Sequence, residues 1–325
     1  MMRTRTAVLG GLALGGVATL LARRQQPSIT ARLLRRFVRS GVKPVTWADD
    51  TIEADRERIN AGPLPDLVGR GVTVRILRDD EFGAATGEWV GIPGARRHIL
   101  YLHGGYYLAG STATYHNLGG RLARDLGAEV VLLDYPLAPE HPYPAAVDTA
   151  TAAYRAMLEA GVDPSALAIM GDSAGGGLAL AVMLRAKAEG LALPAAAVLI
   201  SPWTDLTCSG ESLESNDQAD DVLTARAIRA AAAHYAGDTP RDAPEVSPLF
   251  GDLAGLPPLY VTVDSSEAVV DDSIRLVDRA RAVGVTCELE KSTGLFHIWP
   301  VVVPVLREAR VTVGNVVRFL DRELA

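Results

Sequence analysis

The stretch Gly171-Asp172-Ser173-Ala174-Gly175 constrains this chain more than any other. Before it runs Ala166-Leu167-Ala168-Ile169-Met170, short and apolar enough for a buried strand. After it runs Gly176-Gly177-Leu178-Ala179-Leu180-Ala181-Val182-Met183-Leu184, which reads as a packed helix. A strand that turns at once into a helix lifts the serine to the crest with its hydroxyl exposed, and small neighbours allow the strained turn. At a helix N-terminus, free N–H groups and the dipole favour negative charge, which suits a tetrahedral oxyanion. Taken alone, the pentapeptide supports two readings, a nucleophile or a glycine-rich turn whose serine caps a helix. The rest of the chain decides between them.

The period of the surrounding apolar residues points to an α/β fold. Val72–Leu77 alternates as a strand does, and Gly87–Ile92 and Arg97–Leu102 follow as two more. Ala128–Leu133 reads as a strand buried on both faces. From there strands and helices alternate: a helix over Ala145–Ala160, the strand before Ser173 and its helix, then strands at Ala195–Ser201, Leu259–Val263 and Cys287–Lys291. That rhythm implies βαβ units around a mostly parallel eight-stranded sheet flanked by helices, whose functional residues gather at the carboxyl ends of the strands. The interval between Trp203 and Leu259 breaks the rhythm and carries only a helical stretch, Ala225–Tyr235. It reads as an insertion. Near the start, Ala31–Val38 and Trp47–Ile59 read as amphipathic helices, with Ser28-Ile29-Thr30 as a cap region. Together with the insertion they are expected to form a helical cap over the site, the alternative for these helices being a surface position with a solvated basic face.

Three further motifs sit at predicted strand ends. His103-Gly104-Gly105-Tyr106-Tyr107 follows the third strand, and consecutive glycines let backbone N–H groups approach a substrate oxygen closely. Gly104, Gly105 and Ala174 are the expected oxyanion donors, with Tyr106, Tyr107 and Asp172 facing the substrate. His297 follows the last strand, and among the six histidines it alone completes the chain order serine, acid, histidine that a serine after such a strand requires. The acid lies in the loop after Leu259–Val263, where Asp264 and Glu267 both stand in reach. Such a carboxylate holds the imidazole in the right tautomer and steadies its cation.

Composition adds exclusions. The net charge of −7 carries no basic excess, and no stretch masses lysines and arginines, so nucleic acid is not an expected partner. Cys208 and Cys287 form no C-x-x-C, and two isolated thiols make no metal site or disulfide framework. At the N-terminus, Arg3 and Arg5 precede an apolar run, Ala7–Leu21, closed by Arg23 and Arg24. Fifteen helical residues span about 22 Å, short of a ~30 Å hydrocarbon core. The basic-apolar-polar order still resembles a signal peptide or anchor, and the alternative is a helix packed on the domain. Membrane association through residues 7–21, export and a cytoplasmic location therefore all stay open, as does a homodimer.

With these residues assembled, the chain resembles the hormone-sensitive-lipase-like group of α/β-hydrolase esterases over roughly residues 65–322. The resemblance rests on His103–Tyr107, Asp134-Tyr135-Pro136-Leu137-Ala138-Pro139-Glu140, Gly171–Gly176, Ser201-Pro202-Trp203-Thr204-Asp205-Leu206 and Gly294-Leu295-Phe296-His297. Within the group it is similar to bacterial carboxylesterases that include ε-lactone hydrolases. The resemblance implies hydrolysis of small-molecule esters with short to medium acyl groups, lactones included, without cofactor or metal. An amidase, a lipase, or a catalytically inactive ligand-binding relative are the alternatives. Tyr106 stands where the family's third glycine is usual, which is expected to narrow the acyl side of the pocket. Counting back from Gly284-Val285 sets Glu267, not Asp264, on the family's aspartate, 30 residues before His297. The expected triad is therefore Ser173, His297 and Glu267, with Asp264 as the alternative acid. The expected layout is an apolar segment over residues 1–25 and a catalytic domain over 26–325, capped by about 26–65 and 204–246.

Overall fold

The computed structural model describes residues 27–61, 67–68, 71–78 and 86–325. The apolar run at residues 7–21 and parts of the first cap segment lie outside the described residues. Two helices open the described chain, α1 (Ile29–Gly41) and α2 (Ile52–Asn60). Then come β1 (Thr73–Ile76), β2 (Thr86–Gly91), β3 (Arg97–Leu102), α3 (His116–Leu126), β4 (Ala128–Asp134) and α4 (Ala145–Glu159). The second half runs β5 (Leu167–Asp172), α5 (Ala174–Ala188), β6 (Ala196–Ile200), α6 (Ser212–Ser215), α7 (Ala225–Ala236), β7 (Leu259–Asp264), α8 (Val270–Ala282), β8 (Cys287–Ser292) and α9 (Arg307–Glu323).

The strands form one eight-stranded sheet in the order β1-β2-β4-β3-β5-β6-β7-β8. β2 runs antiparallel to β1 and β4, and every other pairing is parallel. The period of two along each strand sorts the core into two layers. Leu100, Leu102, Leu167, Ile169, Ala197, Leu199 and Val261 face one side, where α4, α5, α7 and α8 pack. Ile99, Tyr101, Ala168, Met170, Val198, Ile200 and Tyr260 face the other, where α3 and α9 pack. Continuous apolar strands such as β5 and β6 are what a sheet covered on both faces demands.

The expected strands all form, with ends shifted by a residue or two. The helix expected from Trp47 begins five residues late. Trp47 sits at φ 54° and is fully buried. Asp55 turns back to accept hydrogen bonds from Thr46 N (2.9 Å), Trp47 N (2.9 Å) and Thr51 Oγ1 (2.9 Å). A side chain that satisfies the backbone locally competes with helix, and burial of the indole decides the outcome.

Candidate active site

Four strand ends supply the site. Ser173 follows β5 directly and carries φ 52°, ψ −122°, a backbone conformation costing a non-glycine residue on the order of 1–3 kcal/mol. Neighbouring backbone holds it there: Ser173 N donates to Ile200 O at 2.8 Å and Trp203 N donates to Ser173 O at 2.9 Å. Gly175 is required by close approach, since a Cβ there would lie 2.1 Å from Leu102 O and 2.4 Å from His103 O. The missing side chain is what lets the start of α5 press against the end of β3.

His103 shapes the loop that follows β3. Its Nδ1 bonds Gly104 O at 2.8 Å, its ring stacks on Tyr135 with centroids 4.3 Å apart, and Tyr135 Oη donates to His103 O at 2.6 Å. Burial pushes the His103 pKa down to about 4, so the ring is neutral and serves as scaffold. Gly105 takes φ 127°, and a Cβ there would lie 2.1 Å from Ala109 O.

Three site expectations need correction here. Gly104 N–H is already committed, donating to Asp172 Oδ1 (3.0 Å) and Tyr115 Oη (3.0 Å). The N–H groups of Gly105, Tyr106 and Ala174 have no acceptor among the described residues. Asp172 does not face the substrate. Its carboxylate is fully buried beneath the loop and accepts from Tyr101 Oη at 2.9 Å and Tyr115 Oη at 3.0 Å. Burial drives its pKa up to about 6 against those hydrogen bonds. Tyr107 is likewise interior, stacked on Tyr235 with centroids 3.7 Å apart. Tyr106 does line the cavity, at φ 63° and edge-on to Trp47 at 5.4 Å.

His297 and Glu267 meet at the far side. His297 Nδ1 lies 2.6 Å from Glu267 Oε2, with the two side chains 2% and 1% exposed. The other carboxylate oxygen of Glu267 accepts from Ser201 Oγ (2.9 Å) and Asp264 N (2.6 Å). Asp264 spends its own carboxylate on the loop: Oδ1 accepts from Ser266 N (3.0 Å), and Oδ2 from Ser292 Oγ (2.7 Å) and Leu295 N (2.9 Å). His297 Nε2 is buried without a hydrogen-bond partner among the described residues. It borders the same cavity as Ser173, a space of about 190 Å³ whose wall also includes Gly105, Tyr106, Val38 of α1, Val42 just past its end, Ile59 of α2, and Val222.

A family described as the alpha/beta hydrolase fold matches residues 99–301. An acetyl-hydrolase of Streptomyces hygroscopicus is 43% identical over 231 residues, 70% of this chain and 77% of that protein. An esterase of Acinetobacter venetianus is 39% identical over 227 residues, 69% and 75% respectively. Among solved structures, that of an esterase from the bacterial hormone-sensitive lipase family superposes with a TM-score of 0.84 at 36% identity, covering 92% of this chain and 100% of its own. EstE5 soaked with ethyl alcohol superposes with a TM-score of 0.85 at 36% identity, covering 91% and 99%. The chain belongs to this alpha/beta-hydrolase esterase family.

Two residues of this hydrolase were given no site role by the sequence reading. Ser201, at φ 47°, donates to Glu267 and accepts from Ile298 N at 3.3 Å, joining the acid loop to the histidine loop. Asp220 is 1% exposed and accepts from Val222 N (2.8 Å), Leu223 N (2.9 Å) and Ala268 N (2.7 Å). It ties the insertion to the residue after Glu267. Ser201 carried a signal in its place at the end of β6; Asp220 carried none, since the bond that ties it to the loop of Glu267 is to a backbone group 48 residues away. Burial works to lower the His297 pKa, yet the hydrogen bond and charge of Glu267, with Asp220 and Asp172 beyond, outweigh it and hold the pKa above the ordinary 6.5. No group of three or more metal-ligating side chains occurs among the described residues.

Proposed function

We propose that this esterase hydrolyses short to medium acyl esters, lactones included, through a covalent acyl-enzyme on Ser173. His297 Nε2 takes the proton of Ser173 Oγ as the oxygen attacks the ester carbonyl. The N–H groups of Gly105 and Ala174, joined by that of Tyr106, hold the oxyanion, each such donor lowering the barrier by on the order of 3 kcal/mol. His297 then gives its proton to the leaving alkoxide. Water, deprotonated by the same nitrogen, attacks the acyl-enzyme; the bond to Ser173 Oγ breaks, the acid leaves, and His297 returns the proton to Ser173 Oγ. Glu267 keeps the proton of neutral His297 on Nδ1 and steadies the imidazolium in both half-reactions.

The observation that carries this reading is the buried 2.6 Å contact between His297 and Glu267 beside the cavity of Ser173. A cavity of about 190 Å³ is smaller than the roughly 300–1,000 Å³ of drug-sized sites, which favours short acyl groups. α1, α2 and residues 204–246 act as the cap, with Val38, Val42, Ile59 and Val222 supplying its apolar underside. The test is turnover of p-nitrophenyl esters of increasing chain length, together with a lactone and an anilide, by the wild type and Ser173→Ala. The expected result is hydrolysis falling off with chain length, and loss of both turnover and fluorophosphonate labelling in the variant. Turnover by Ser173→Ala near the wild-type rate would overturn the proposal.

A further inference from the structure

α1 has an inner face and an outer one. Ala31 is buried in the core, and Val38, with Val42 just past the helix end, lines the cavity. On the outer side, Ile29, Leu33 and Phe37 are 69%, 60% and 69% exposed. Their four-residue spacing stacks them in one stripe. Arg32 and Arg36 flank the stripe, exposed and without an acidic partner among the described residues. The other cations of the helix and of the turn after it are engaged. Arg35 and Arg39 pair with Asp221, Arg39 also donates to Gln218 O at 2.8 Å, and Lys43 donates to Asp217 O (2.5 Å) and Asp220 O (2.6 Å). The helix is thus clamped along one edge to the insertion, with its apolar stripe held outward.

Charge argues for what covers that stripe. The chain carries a net −7, yet the free cations here gather beside exposed apolar residues, a pattern that complements an anionic apolar surface. The sequence entering α1 has the same character, Arg3 and Arg5, an apolar run over residues 7–21, then Arg23 and Arg24. We propose that Ile29, Leu33 and Phe37, flanked by Arg32 and Arg36, form a docking surface for an anionic lipid bilayer, with α1 lying in the headgroup plane. Because Val38 lines the cavity from the same helix, docking sets the roof of the cavity against the lipid. The proposal stands apart from the ester reading and is tested without catalysis.

The experiment uses the full chain in a Cys208→Ala background, with an environment-sensitive nitrobenzoxadiazole label at Ser40→Cys on the outer face, or at Val283→Cys beyond the far end of α8. Vesicles are phosphatidylcholine with or without 30 mol% phosphatidylglycerol, the fraction being a chosen composition of about the anionic content to which basic helices respond. The expected result is a blue-shifted, brighter signal at position 40 and none at 283, with co-sedimentation at least about tenfold weaker on pure phosphatidylcholine. Leu33→Ser/Phe37→Ser lowers partitioning at least about tenfold, and Arg32→Gln/Arg36→Gln removes the preference for anionic vesicles, both with soluble-ester turnover unchanged. Four results would each overturn the proposal: no sedimentation of the intact chain, sedimentation with a silent label at position 40, partitioning unaffected by Leu33→Ser/Phe37→Ser, or a label already in an apolar environment without lipid. The last would mean that a second copy or another segment of the chain covers the stripe.

Discussion

Replacing Glu267 by Gln changes one atom and tests the proposed mechanism directly. One carboxylate oxygen of Glu267 receives Ser201 Oγ and Asp264 N, and the other meets His297 Nδ1 at 2.6 Å. Glutamine has one acceptor oxygen, and it belongs where two donors converge. Its amide NH₂ then points at His297 Nδ1, which must become an acceptor, so the ring proton moves to Nε2. A protonated Nε2 cannot take the proton of Ser173. Turning the amide round leaves both Ser201 Oγ and Asp264 N without an acceptor, at about 1–3 kcal/mol each. At ~1.4 kcal/mol per decade, some 4 kcal/mol corresponds to a loss of about 10³ in kcat, and the lost charge on the imidazolium carries it toward the ~10⁴ seen when a triad acid becomes an amide. Asp264→Asn serves as the control. That carboxylate bonds Ser266, Ser292 and Leu295 rather than the histidine, so the variant should lose stability by about 1–3 kcal/mol while keeping kcat within about tenfold. The assay is steady-state hydrolysis of p-nitrophenyl butyrate alongside thermal unfolding. If Glu267→Gln keeps kcat within about tenfold and Asp264→Asn collapses it, the carboxylate roles argued here are reversed.

Three further outcomes are expected. His297 must be neutral to act as base, and its pKa is held above 6.5 by Glu267 and the carboxylates beyond; kcat/KM should therefore fall as pH drops through a midpoint above that value, and Glu267→Gln should move the midpoint down, because burial is then opposed only by the more distant Asp220 and Asp172. A midpoint unmoved in that variant contradicts the assignment. Ser201→Ala removes one donor to Glu267 and the acceptor of Ile298 N, about 1 kcal/mol or more, and should cost roughly fivefold or more in kcat with little change in KM, read from Michaelis–Menten curves. Gly105→Ala forces a Cβ to within 2.1 Å of Ala109 O at φ 127°; the displaced N–H should cost about 10² in kcat, and wild-type turnover would remove Gly105 from the oxyanion site.

Much of this molecule was legible in the sequence because its signals are local. β5 into α5 is written as an apolar run, a small-residue turn and a second apolar run. His297 was recoverable from chain order, since a parallel sheet with right-handed crossovers brings successive strand ends to one edge. The carboxylate that meets His297 was harder to read. Asp264 and Glu267 lie three residues apart in one loop, and only register separated them. In the structure the loop turns so that Asp264 N donates to Glu267 while the Asp264 carboxylate accepts from Leu295.

What the sequence determined by itself is the order of elements, the two-faced sheet and the serine at its crest, because periodicity and glycine placement act between neighbours. Tertiary structure alone decided which N–H groups stay free. Nothing near Gly104 marks its amide as spent; that follows from Asp172 reaching back from β5 and Tyr115 from the turn before α3. It also decided that Tyr107 is core while Tyr106, next to it, is cavity wall, since stacking on Tyr235 and crossing Trp47 are contacts with distant parts of the chain. Asp220 belongs with these, a carboxylate whose importance comes from the backbone it holds. A hydrogen bond has a range of about 3 Å in space and none along the chain, so its partners appear only once the chain has closed around them.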